Sequence, residues 1–128
     1  MNENLISKKL QYEELAKKVT TKYRSEMKII KGVLEVLESN SAIEKSDSLE
    51  TIIFKKYLEL ENVQKVAKYI NELGYRIKTG SWIGERKYTS NDITKILVDR
   101  DCMVERKLKY IVQFLQDKNY EHMRKIWG

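Results

Sequence analysis

The stretch ENVQKVAKYINELGYRIKTGSWIGERKYTSNDITKIL, residues 61–97, changes its apolar period twice, and that change decides the fold. From Val63 to Leu73 the apolar positions Val63, Val66, Ala67, Ile70 and Leu73 recur as one face of a helix does. Asn62 stands before it as an N-cap, and Gly74 follows where a helix ends in a left-handed residue. Tyr75-Arg76-Ile77-Lys78 then alternates as a short strand, and Lys87-Tyr88-Thr89 is expected to pair with it. Gly80, Ser81 and Gly84 form the turn between them and carry Trp82 and Ile83. At Ser90, read as an N-cap, the helical period resumes, with Asn91-Asp92 in the first turn and Ile93, Ile96 and Leu97 inward.

Working outward, Leu49, Ile52, Ile53, Tyr57, Leu58 and Leu60 form the face of a preceding helix, with Asp47 and Glu50 as its capping box. After Ile96-Leu97, Asp99-Arg100-Asp101 breaks the chain. A final helix is expected from Cys102 to Asp117 through Val104, Leu108, Ile111, Val112 and Leu115. A tail from Tyr120 to Trp127 continues the spacing at Met123 and Ile126-Trp127. At the other end Tyr12, Leu15, Val19, Tyr23, Met27, Ile30, Leu34 and Leu37 step by about 3.6 residues. A helix from Leu5 to Glu38 would be roughly 50 Å long, weakened locally by Thr20-Thr21 and Gly32. Ser39-Asn40-Ser41 ends it. Two readings stand for this segment: a seam against a second copy, or two helices packed on the C-terminal half. The fold expected is mainly α with a small β-hairpin. Residues 47–128 form a winged-helix or helix-turn-helix-like core with a C-terminal helix, and residues 1–40 form a long N-terminal helix suited to dimerisation.

Composition narrows the function. The 128 residues hold 25 Lys+Arg against 19 Asp+Glu, a net charge of +6. Residues 62–90 alone carry six basic and two acidic side chains, so the excess is concentrated there and favours a polyanionic partner. No apolar run is long enough to span a bilayer, and the first residues lack the order of a signal peptide. A lone cysteine, Cys102, excludes an internal disulfide and fits a reducing cytoplasm. It opens the expected last helix, where a thiol pKa can be lowered, but with no evident partner it reads as packing. A lone histidine, His122, removes most catalytic dyads. Asp92, Asp99, Asp101 and Glu105 lack calcium-loop spacing and read as helix caps. No enzyme activity, metal, cofactor, membrane or small-molecule substrate is expected.

Duplex binding needs cations for phosphates and small polar side chains at a helix start for base edges. Arg76, Lys78, Arg86 and Lys87 supply the first, around the loop of Ser81 and Trp82. Thr89, Ser90, Asn91, Thr94 and Lys95 supply the second, on the side opposite Ile93, Ile96 and Leu97. Trp82 is either a core plug or an exposed tip that meets a partner. The linker from Gly74 to Thr89 exceeds the short turn of a simple helix-turn-helix, which suits winged variants.

The stretch from Leu49 to Asp99 resembles the recombinase domain that follows the catalytic domain in large serine recombinases. The resemblance rests on the apolar-aromatic helix at Ile53-Phe54-Lys55-Lys56-Tyr57-Leu58 and on the Ile70-Asn71-Glu72-Leu73-Gly74 phrase. It continues through the basic loop from Arg76 to Gly80, the aromatic Trp82, the cap at Thr89-Ser90-Asn91-Asp92-Ile93 and the helix end at Lys95-Ile96-Leu97. Two departures stand out. Glu61-Asn62 replaces the usual glycine between the first two helices, and Ile83–Lys87 lengthens the loop. The resemblance implies DNA contact by the loop and last helix, without the catalytic domain or the cysteine-bound zinc segment. The expected function is therefore sequence-specific double-stranded DNA binding without catalysis. That describes a cytoplasmic regulator or accessory factor of a plasmid, phage or transposon, dimeric through its N-terminal helix. The alternative is a protein-interaction module whose long helix and Trp82 face another protein.

Overall fold

The computed structural model describes all residues except Met1, Ser41, Ser81, Ile83 and Gly128, with side chains up to Lys118. The expectations placed on Ser81, on Ile83 and on the side chains of the tail, His122 included, lie outside the described residues. Among the described residues five helices and one hairpin follow in order: α1 Glu3–Ser39, α2 Leu49–Leu60, α3 Val63–Glu72, β1 Ile77–Lys78, β2 Glu85–Arg86, α4 Ser90–Val98 and α5 Arg106–Trp127. The protein is thus mainly helical, at 71%, with a small antiparallel hairpin. Two compact units divide it, Met1–Glu35 and Val36–Gly128. No helix among the described residues is long and apolar enough to cross a membrane.

Among the described residues the first unit is helix from Glu3 onward. α1 runs unbroken through Thr20-Thr21 and Gly32, so the reading of two separate helices does not hold. Asn2 starts it, its side-chain oxygen accepting the Asn4 N–H at 2.8 Å. Tyr12, Leu15, Val19, Tyr23, Ile30 and Leu34 are all exposed, Tyr12 by 67% and Val19 by 60%. Met27 is half-buried.

In the second unit α2, α3, α4 and α5 pack on one another, and α3 against α4 is the most extensive contact. Ile53, Phe54, Val66, Ile70, Ile93, Leu97, Leu108 and Val112 are fully enclosed. α2 buries Ile52, Ile53 and Phe54 in succession, a face wider than one stripe, because three helices pack around it. Leu73, expected inside, is 50% exposed. It is the C-cap of α3, where the chain turns away from the core. The turn is a Schellman closure: Tyr75 N–H donates to Ile70 C=O at 3.3 Å, Gly74 N–H to Asn71 C=O at 3.0 Å, and Gly74 takes φ +97°.

Three helix starts differ from expectation, each for a local reason. α2 is capped by Ser48, whose hydroxyl accepts the Thr51 N–H at 3.2 Å. Asp47 is taken by Lys55 Nζ at 2.7 Å, with both side chains close to fully covered, and that ammonium holds its carboxyl below the usual range. α4 is capped by Thr89 rather than Ser90. Three residues beyond Thr89 stands Asp92, which can return a hydrogen bond, whereas three beyond Ser90 stands Ile93, which cannot. α5 starts at Arg106 rather than Cys102 because the Glu105 carboxylate accepts the Lys107 and Leu108 N–H groups at 3.1 and 2.9 Å. The segment before it is tied back by Lys109 Nζ, which donates to the carbonyls of Arg100 and Cys102.

The link between α2 and α3 bears on the missing glycine. Glu61 adopts φ +46°, ψ +38°, a left-handed conformation that suits glycine and costs a side-chain-bearing residue roughly 1–2 kcal/mol.

Candidate nucleic-acid interface

The hairpin does not pair as expected. Ile77 faces Arg86 and Lys78 faces Glu85, with Thr79 N–H closing the end on Gly84 C=O at 2.8 Å. Gly84 permits this early closure with φ +83°. Lys87, Tyr88 and Thr89 lie outside the ladder because their backbone is engaged elsewhere. The half-buried Asn71 amide, at the end of α3, accepts Tyr88 N–H at 2.8 Å and donates to Tyr88 C=O at 2.9 Å. Thr89 N–H goes to Asp92 at 2.8 Å. One side chain thus replaces a strand partner and fixes where the chain enters α4.

That entry brings α3 beside the start of α4. An open groove of about 490 Å³ lies between them, lined among others by Gln64, Lys68, Asn71, Glu72, Arg76, Lys87, Thr89 and Ser90. Lys68, Arg76 and Lys87 are its cations and Glu72 its one acid. Arg76 donates from Nη1 to Asn71 C=O at 3.0 Å and to Tyr75 C=O at 2.7 Å, so its guanidinium sits at the C-terminal end of α3. Lys68 and Lys87 are exposed.

The other expected residues separate into two groups. Lys78, Trp82, Asn91 and Lys95 are exposed, and Trp82, at 95%, is a tip and no core plug. Arg86, Thr89 and Thr94 are engaged within the fold. Arg86 donates Nη1 to Asp92 Oδ2 at 2.7 Å and Nη2 to Asp92 Oδ1 at 2.9 Å. This bidentate pair holds the Asp92 carboxyl far below the ordinary carboxylate range and raises Arg86 further still. The Thr94 hydroxyl donates to Ser90 C=O at 3.1 Å, inside its own helix. Ser90 is half-buried at the groove rim.

Sequence reasoning missed Lys68, Gln64 and the role of Asn71. Lys68 and Gln64 are four residues apart on the side of α3 away from Val66 and Ile70, so the helical period could have placed them on the outer face. Nothing local marks Asn71, whose partner lies seventeen residues away. Burial pushes the Cys102 thiol up rather than down, and it stands before α5 rather than opening it. No group of three or more His, Cys, Asp or Glu among the described residues could hold a metal ion.

Residues 48–103 match the family model described as Recombinase. The match spans α2, α3, the hairpin and α4, less than half of the chain, and is a likeness of that segment alone. It agrees with the resemblance read between Leu49 and Asp99 and points to a recombination-related role. No curated protein and no solved structure matches the chain.

Proposed function

We propose that this recombinase-domain segment binds double-stranded DNA in a sequence-specific way and without catalysis. α2, α3 and α4 act as a helix-turn-helix-like core, with the hairpin as its wing. The observation that carries this reading is the grouping of Lys68, Arg76 and Lys87 around one groove at the start of α4, beside exposed Asn91 and Lys95. The three cations meet phosphates and set the register, while Asn91 and Lys95 reach base edges. Trp82 and Lys78 extend the contact from the hairpin. The chain then serves as a cytoplasmic regulator or accessory factor of a mobile element, a plasmid, phage or transposon, and works as a dimer through α1.

Titrating duplex binding against salt tests this. Affinity for random duplex should fall steeply as salt rises, and Lys68→Ala or Lys87→Ala should each lower the slope by about 0.9 if each removes one phosphate contact. Asn91→Ala should spare the slope and cost about 1–3 kcal/mol of preference for the specific site. A chain that fails to bind duplex, or binds with no salt dependence, overturns the reading. The second reading, a protein-interaction module, then takes its place; it is favoured by the exposed apolar side chains of α1.

A further inference from the structure

Asp92 is an acid in the midst of a surface read as phosphate-facing, and its contacts explain why it is there. Its Oδ2 accepts three hydrogen bonds, from Arg86 Nη1 at 2.7 Å, Thr89 N–H at 2.8 Å and the Thr89 hydroxyl at 2.9 Å. Its Oδ1 accepts Arg86 Nη2 at 2.9 Å. The carboxylate side chain is 12% exposed, while the Arg86 side chain is 45% exposed. The charge of the acid is therefore spent inward, and the outer edge of the guanidinium still faces solvent. Arg86 belongs to β2 and Asp92 to the first turn of α4, so the pair spans the strand-to-helix link. A two-residue strand pair holds itself weakly; Arg76 and Tyr88 tie its two flanks to Asn71, but among the described residues the strands themselves make no extensive contact with a helix.

We infer that Asp92 is a positioning residue: through Arg86 it fixes the hairpin against the start of α4, so that wing and reading helix meet one duplex in a single register. This rests on the reading that the segment binds duplex DNA and adds which residue sets its specificity without touching a base. Arg86 Nη1 also donates to Lys87 C=O at 3.1 Å; the guanidinium, oriented by the clamp, offers its remaining N–H groups to a phosphate. Without the clamp the guanidinium can still find phosphates on any duplex, but no longer from one place.

Asp92→Asn keeps an oxygen acceptor for the Thr89 cap and removes the charge that grips Arg86. Arg86→Gln breaks the same clamp from the hairpin side and leaves the cap untouched, so a folding defect at α4 cannot imitate the result. Specific and random duplex affinities are measured for the full chain, for each variant and for the double variant. The ratio of specific to random affinity should fall about tenfold in either single variant. Random-duplex affinity of Asp92→Asn should hold or rise, because a negative charge leaves the surface. The double variant should lose no more than the worse single one, the mark of two residues acting as a unit. Additive losses, or an unchanged ratio in Asp92→Asn, would overturn the positioning role while leaving duplex binding standing. Failure of the unaltered chain to bind duplex overturns both.

Discussion

The two units place the same sequence signal in opposite circumstances. In Met1–Glu35 an apolar stripe of helical period lies along α1 with Leu15, Val19, Tyr23 and Ile30 at least half exposed. In Val36–Gly128 stripes of the same period on α2, α3 and α4 put Ile53, Phe54, Val66, Ile70, Ile93 and Leu97 out of reach of water. Periodicity specifies a face; only the presence of further elements decides whether that face is covered. Within the first unit a single helix has no second layer to supply, so its stripe is an apolar surface awaiting one. In the second, four helices from one chain enclose each other's faces.

The sharpest way to break this comparison is to delete the same kind of side chain from each unit. Phe54→Ala, at a fully enclosed site, should cost about 3–5 kcal/mol and lower the thermal midpoint by roughly 15 °C or more. Leu15→Ala, on the exposed stripe, should leave the unfolding of the second unit unchanged within about 0.5 kcal/mol. Comparable losses from the two, seen by calorimetry, would mean that the stripe is as covered as the core.

A second copy is the cover expected for α1, and assembly sharpens the contrast. Sedimentation of the unaltered chain at high micromolar concentration should give a dimer, and Leu34→Glu should give monomers with circular dichroism preserved. A monomeric parent chain would remove the seam and leave the exposed stripe to another partner.

The smallest expected effect is a dependence on acid. Asp92 has its pKa lowered by the Arg86 clamp, from 3.8 to far below it. A depressed folded value means that the clamp's contribution is fully present above the unfolded value. It is lost as pH falls below about 4 and on through the folded value. Stability measured from pH 5 to pH 2 should therefore decline, and decline less in Asp92→Asn. Equal slopes for the two chains would show that Arg86 and Asp92 exert no net hold on each other in solution.

The features legible in the sequence are those set by neighbours along the chain. Asn62 caps α3 through Lys65 N–H, and Gly74 closes it, because a cap needs partners only three to five residues away. The helical faces were legible for the same reason, since burial of any one stripe favours one spacing. Even local signals misled where two candidates competed: Ser90 and Thr89 are both good caps, and the reciprocal acid at Asp92 decided between them.

By itself, then, the sequence determined a mainly helical chain, the order of its elements, a basic hairpin between α3 and α4, and, from α2 to α4, a resemblance to the recombinase domain. Only the tertiary structure decided the strand register, because Asn71 reaches across seventeen residues to occupy the backbone of Tyr88. It alone showed that Arg86 is held by Asp92, that Trp82 stands in solvent, and that Lys68 joins Arg76 and Lys87 at one groove. The reason is physical. Propensity and period act within a turn or two of helix, whereas which polar groups compensate each other depends on distances that exist only once the helices have packed.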